Sequence, residues 1–405
     1  MRFINLFMFL ILLFFVACEE DPTPTGSDIL QQNQLNDLLT IDTLDSYNGG
    51  LSQKSSTFVS DELNLIGSVR NLLGTYEDDY TKTSIVTVMR LFSYLPDTSY
   101  STALTNGTVE VLSSKLILTP RYNLGDTLAN MDFYVRPLIS AWDVTEGLLK
   151  EDLTDTLYDA NVDLKQSSVI TEDSLLTCTI NNDIMRDWLY SRVTGDSTYQ
   201  YKGIVLVPNS ENRIIGFENS DSVYMPRIET IVKETTDADI DTIVFYPVTY
   251  AAIQSVVMEG EIKNSNNEMV VQGAIPIRSK LYFDLSGIPS DAVVNKAELT
   301  LTVDSLKSMY TSSKISSVYI DALNSSDTTD ISDEITYSLL SRDENTFTGT
   351  ITATIQGLIK NQINYGFVIT ALGENFTPAR DIIYSGTAAN TSDRPRLIIY
   401  YSKKK

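Results

Sequence analysis

The chain has 405 residues, with 30 Lys plus Arg against 53 Asp plus Glu, two Cys and no His, for a formal net charge of −23. Without imidazole there is no Ser-His-Asp or Cys-His catalysis, no His-ligated zinc or iron and no histidine pH switch, because no other unperturbed side chain titrates between about pH 5 and 8. The acidic excess argues against nucleic acid as a partner, since that binding rests on Lys and Arg displacing counterions from phosphates.

Met1-Arg2 opens a short positive region, and Phe3 to Ala17 form an apolar run interrupted only by Asn5. At about 15 residues the run is shorter than the roughly 20 that cross a bilayer, so residues 1–17 read as a secretory signal peptide. It ends in Phe15-Val16-Ala17-Cys18, which resembles the lipobox at which a lipoprotein signal is cut and the Cys acylated. Lipidation of Cys18 is the expectation, with the membrane as a partner through that lipid and an outer-membrane or cell-surface location. Glu19-Glu20-Asp21 directly behind it resembles the surface-export signal of Bacteroidota lipoproteins. Residues 18–45, polar and containing Pro and Gly, read as an acidic tether. Once Cys18 is lipidated, Cys178 has no partner, so the fold has to be held by packed cores and not by a disulfide.

Beyond the tether the chain reads as strands, in short alternating runs rich in Val, Ile, Thr and Tyr punctuated by Gly, Pro, Asn, Asp and Ser. Two stretches match in the same order. Arg90 to Pro96 parallels Lys280 to Leu285, Ser114 to Thr119 parallels the alternating run Ala297 to Val303, and Phe133 to Leu138 parallels Val318 to Leu323. Thr177-Cys178-Thr179-Ile180 parallels Thr352-Ala353-Thr354-Ile355, Tyr201 to Leu206 parallels Asn364 to Ile369, and Pro226-Arg227-Ile228 parallels Pro395-Arg396-Leu397. The reading is all-β: two tandem jelly-roll-like antiparallel β-sandwich domains, copy 1 over residues 46–234 and copy 2 over 235–402. A short helix is expected over Asp183 to Tyr190, where Ile184 and Trp188 share a side and Asp183 can cap, with its counterpart around Gln356 to Ile363.

Ser279 to Pro289, followed by Val294 to Leu301 and closed by Ile383 to Gly386 and Arg394 to Tyr401, resembles the DNRLRE or carbohydrate-binding module family 96 type of β-sandwich. Asn71 to Asp78 behind a lipoprotein signal resembles a family of Bacteroidota lipoproteins of unknown function. Together these resemblances imply a surface lipoprotein that binds glycan through its sandwiches. No sugar-contacting residue carries over, because the matching segments are framework strands.

Sugar sites present an aromatic ring to the C–H face of a pyranose among polar groups. The only Trp residues are Trp142 and Trp188; Trp188 falls on the apolar side of its helix, which leaves Trp142 as the ligand-binding candidate against a core role, beside 22 Tyr. Asp237, Asp239 and Asp241 alternate onto one side of an extended segment and are the candidate ligands for structural calcium, the alternative being a solvated linker. Asp327, Asp330, Asp333 and Glu334 form a second acidic loop. Cys178, inside an alternating strand, reads as a small core residue. No nucleophile elbow, P-loop or dinucleotide fingerprint occurs and no acid pair stands out by spacing, so no catalytic activity is expected. The alternatives are a structural or adhesive subunit contacting another surface protein and, more weakly, a carboxylate-dependent polysaccharide-degrading enzyme.

Overall fold

A computed structural model describes residues 39–59, 70–95, 98–196, 200–210, 212–218, 224–235, 240–247, 249–263, 268–310, 314–325, 330–375 and 379–405. Among the described residues two strands come first, β1 (Leu39–Asp45) and β2 (Gln53–Val59). Then follow β3 (Arg70–Glu77), β4 (Thr81–Met89), β5 (Phe92–Ser93), α1 (Thr98–Thr105), β6 (Val109–Leu118), β7 (Tyr122–Gly125) and β8 (Phe133–Pro137). Next are β9 (Ile170–Glu172), β10 (Leu175–Thr179), α2 (Asn182–Thr194), β11 (Ile204–Pro208), β12 (Arg213–Glu218), β13 (Arg227–Glu234), β14 (Ile240–Tyr246) and β15 (Ile253–Ile262). The chain ends with β16 (Glu268–Gln272), β17 (Ile277–Phe283), β18 (Val293–Thr302), β19 (Ser317–Ala322), β20 (Ser338–Asp343), β21 (Thr346–Thr350), α3 (Thr352–Asn361), β22 (Phe367–Ala371), β23 (Arg380–Tyr384) and β24 (Arg396–Lys404).

The all-β expectation holds, and the strands build two lobes with separate cores. In the N-lobe a sheet in the order β5-β14-β13-β6-β10-β9 faces a second in the order β7-β12-β3-β4-β11-β8, with β15 also on β4. Between them lie Leu73, Phe133, Phe217, Leu116, Ile228 and Phe245, all at most 3% exposed. The C-lobe runs β1-β24-β18-β21-β20-β19-β22-β17-β16-β23, with β2 on β17. Its neighbour relations repeat those of the N-lobe: β24-β18-β21-β20 corresponds to β13-β6-β10-β9, and β19-β22-β17-β16-β23 to β8-β11-β4-β3-β12. The difference is a hairpin. β19 pairs with β20, joining the two layers into one rolled sheet, whereas β8 and β9 are separated by residues 138–169, which fold over the outer face of the N-lobe and bury Val86, Val88, Val205 and Val256.

The expected boundaries at 46–234 and 235–402 do not describe this arrangement. Residues 39–45, assigned to the tether, are β1, and both β1 and β2 belong to the C-lobe, pairing with β24 and β17. Conversely, β14 and β15, assigned to copy 2, belong to the N-lobe on β13 and β4. The two strand pairs occupy corresponding places and share a motif in register: Ile41-Asp42-Thr43 on β1 and Ile240-Asp241-Thr242 on β14. Each half of the sequence thus opens with a strand pair that completes the other half.

A buried hydrogen-bond pattern repeats at both exchanged strands. In the C-lobe, Thr57 Oγ1 accepts from the Val270 N–H at 3.1 Å, and Ser279 Oγ donates to the Val270 carbonyl at 2.9 Å. In the N-lobe, Ser255 Oγ accepts from the Leu72 N–H at 2.6 Å, and Thr87 Oγ1 donates to the Leu72 carbonyl at 2.8 Å. Buried backbone groups need such partners, and an exchanged strand supplies one in each lobe.

Registers refine two sequence matches. Ile204 pairs with Met89 and Phe367 with Leu281, so Met89, not Leu91, corresponds to Leu281. A shift of two residues leaves the alternation intact, which hides it from pattern reading. Cys178 lies opposite Leu116 and Gly349 opposite Leu299, so Cys178 corresponds to Gly349 and not to Ala353. Thr-x-Thr-Ile occurs twice in succession, at residues 348–351 and 352–355, and the second copy is the first turn of α3. The match of Gly203 to Gly366 stands: both have positive φ, +136° and +90°, and a Cβ there would lie 2.5 Å from the Met89 carbonyl oxygen and 2.6 Å from that of Leu281.

Candidate functional site

The groove begins with α3. Thr354, Ile355, Leu358 and Ile359 bury one face against the C-lobe core, and the helix stops at Gln362, whose left-handed φ of 53° turns the chain back. Gly366, tight against β17, directly precedes β22, so residues 363–365 must cross the end of β17. Asn364 pins that crossing by donating from Nδ2 to the Phe283 carbonyl at 2.8 Å. The result is a groove of about 490 Å³ lined by Tyr282, Asp284, Ser286, Gln362, Ile363 and Tyr365 among others. Tyr365 is 43% exposed and Ile363 38%, while Tyr282 is half-buried.

Two phenol rings, an exposed aliphatic residue and a fringe of hydroxyl, carboxamide and carboxylate groups suit a ligand with apolar C–H faces and many hydroxyls. Asp284 is the one acid among the lining residues. The Ser286 side chain and amide hold its carboxyl below the ordinary range, the amide donating to Oδ1 at 3.0 Å. It is thus an ionised acceptor, without the raised pKa of a general acid or a facing carboxylate.

The residues expected from sequence fall elsewhere. Trp142 is only 6% exposed and packs with Leu138, Leu148, Val86 and Val205 beneath the segment that covers the N-lobe, so its ring offers no sugar platform. The apolar strand before it and the covering loop after it put it inside. Trp188, on the buried side of α2, packs against Tyr201 with centroids 4.5 Å apart and the rings tilted by 53°. That helix is longer than expected, and Asn181, not Asp183, caps it by accepting from the amides of residues 183 and 184. Cys178 is 2% exposed, and burial pushes its thiol up to about 12.

Cys18, Asp237, Asp239 and Asp327 lie outside the described residues. Asp241 sits half-buried on β14 opposite Val232, and Asp330, Asp333 and Glu334 are exposed. Among the described residues no three acidic or sulfur groups converge as a metal site. Sequence reasoning missed the groove because its two Tyr are far apart in the chain. The signal that could have marked it is Tyr365-Gly366 closing the segment after a helix end.

No family description, curated protein or solved structure matches the chain.

Proposed function

We propose that the chain is a non-catalytic, lipid-anchored protein of the outer membrane or cell surface that binds glycan in the groove at the end of β17. The observation that carries this reading is that Tyr282 and the exposed Tyr365 line one concave, hydroxyl-fringed site. Its single depressed acid supports binding over hydrolysis. The anchor rests on the lipobox-like Phe15-Val16-Ala17-Cys18.

Affinity electrophoresis against a panel of neutral and acidic polysaccharides tests the groove. Retention should fall roughly tenfold in Tyr365→Ala, the loss of one aromatic contact plus its buried area. No retention of the parent protein on any polymer ends the glycan reading. For the anchor, Cys18→Ser should leave the signal uncut and abolish labelling by a fatty-acid analogue; normal processing and membrane retention of that variant would remove it.

A structural or adhesive subunit is the second reading, favoured by one feature. Among the described residues β1 has β24 as its single partner, and its outer edge carries Ile41, 73% exposed, and Leu39, 39% exposed. An unpaired edge of this kind accepts a strand from another surface protein.

A further inference from the structure

We propose that the N-lobe holds a second ligand site, one that takes the oxyanion of a short acidic glycan, with Arg90 and Arg192 as donors and Tyr94 as the apolar platform. Both arginines line one pocket of about 320 Å³ beside Phe92, Ser93 and Tyr94. The pocket is the counterpart of the C-lobe groove. Since Met89 corresponds to Leu281, Arg90 stands where Tyr282 stands. The buried faces of the helices, Met185, Trp188 and Leu189 on α2 and Ile355, Leu358 and Ile359 on α3, then place Arg192 where Gln362 stands.

That correspondence separates the arginines from the needs of the fold. The same framework closes in the C-lobe with Tyr and Gln at these positions, so two cations are not required to build it. Nor are they matched by acids. Among the described residues neither guanidinium has a carboxylate within ion-pair distance, although the chain carries 53 acids against 30 bases. Arg90 lies 5.3 Å over the Phe92 ring, and Arg192 uses Nε to donate to the Ser93 carbonyl at 3.3 Å, which leaves its Nη donors free. Two like charges sharing a pocket repel, and an oxyanion between them relieves the repulsion while accepting charge-assisted hydrogen bonds. Tyr94, 66% exposed and 6.0 Å from the Tyr246 ring, supplies a fixed aromatic surface beside them.

The net charge of −23 sets the size of the ligand. A long polyanion would meet repulsion from the rest of the surface, whereas a short one lies within about one Debye length, roughly 8 Å, of the arginines and is screened from the remainder. Carboxylate and sulfate esters share the required chemistry.

The test uses the full-length mature protein in detergent, titrated calorimetrically with trigalacturonate, with a sulfated maltotriose and with neutral maltotriose. At least one acidic trisaccharide should bind, more weakly as salt rises; binding of one alone identifies carboxylate or sulfate as the source. Arg90→Gln and Arg192→Gln should each weaken it by about tenfold or more, the scale of a charge-assisted hydrogen bond, with an unchanged thermal midpoint. Tyr365→Ala, in the other lobe, should leave it unaltered. Failure of both acidic probes to bind, or equal affinity in the Arg90→Gln/Arg192→Gln double variant, overturns the proposal. Neither result touches the C-lobe groove, which is read by neutral polysaccharide and Tyr365→Ala.

Discussion

Arg380, on the first residue of β23, joins the lobes through Asp78 in the β3–β4 turn. Its Nη1 donates to Asp78 Oδ1 at 2.9 Å and to Thr81 Oγ1 at 2.8 Å, and its Nη2 donates to Asp78 Oδ2 at 2.6 Å. The arginine side chain is 2% exposed and the aspartate 22%, so the two partners are unequally placed when one is removed. Asp78→Ala strands a buried guanidinium with only a hydroxyl, a loss expected to cost about 3–5 kcal/mol. Arg380→Met leaves a carboxylate that reaches water and keeps the Tyr80 and Thr81 amides at 2.9 and 3.0 Å. That change should cost only about 1–2 kcal/mol. A double-mutant cycle in urea denaturation should therefore give a coupling above about 1 kcal/mol. Burial alone would raise the Asp78 carboxyl, but the hydrogen bonds and charge of Arg380, with the two amides, bring it below the ordinary range. A depressed carboxyl contributes stability that is complete above its unfolded pKa of about 3.9 and is lost as pH falls through the lower folded value. The gap between parent and Asp78→Ala should accordingly stay level from neutrality down to about pH 5 and narrow below about 4. If Asp78→Ala costs no more than Arg380→Met, or the two losses simply add, the argument from unequal burial fails.

Strand exchange predicts which fragments fold. Residues 70–262 should give a cooperative thermal transition, because β14 and β15 bring Ile243, Phe245, Ile253 and Val256 into N-lobe packing, whereas residues 46–234 should not. Residues 268–405 alone should show loose packing by amide dispersion, tightened by a peptide of residues 39–59; two well-folded products cut at 234/235 would refute the exchange. Cys178, with its thiol raised to about 12, should resist a disulfide reagent until the chain unfolds, and labelling within minutes in native buffer would contradict its burial.

Alternation and turn residues made the β-class legible, and Gly203 with Gly366 marked a true correspondence because only glycine tolerates the approach to a neighbouring carbonyl. What the pattern could not give was partner choice. The Ile-Asp-Thr motif at 41–43 and 240–242 is the same in both halves, and nothing in period-two alternation says on which of two like frameworks a strand pair docks. The same degeneracy produced the two-residue slip at Met89 and the four-residue slip at Cys178. Trp142 was misplaced as a ligand candidate for a related reason: whether an aromatic residue after a strand is covered depends on the long excursion that follows it, and residues 138–169 carry no period of their own. The groove depends on Tyr282 and Tyr365 lining one site at a helix end, a convergence created by topology.

Exchange and divergence at the groove bear on one another. Each framework takes its flanking strands, β1 and β2 or β14 and β15, from the other half of the sequence, and the lobes share apolar clusters in which Ala274 and Met309 join Leu72 and Tyr122 and in which Val257 and Ile262 join Val270 and Ile382, so neither lobe can drift freely in shape without disturbing its neighbour. The four positions that differ between the pockets are on elements each lobe makes for itself: Tyr282 is on β17 and Gln362 ends α3, while Arg90 follows β4 and Arg192 is on α2, although the N-lobe pocket also takes Thr249 and Ala252 from between β14 and β15. Side-chain change is therefore cheapest there, where Tyr282 and Gln362 in one lobe stand against Arg90 and Arg192 in the other. Two unlike pockets on a locked double frame fit a protein that holds two chemically different features of a ligand at a fixed separation, which would raise avidity through effective concentration without new contacts. On that reasoning a neutral glycan bearing one acidic residue, long enough to reach both pockets, should bind more tightly than either the neutral or the acidic trisaccharide alone, and affinity that merely equals the better single site would argue that the lobes act separately.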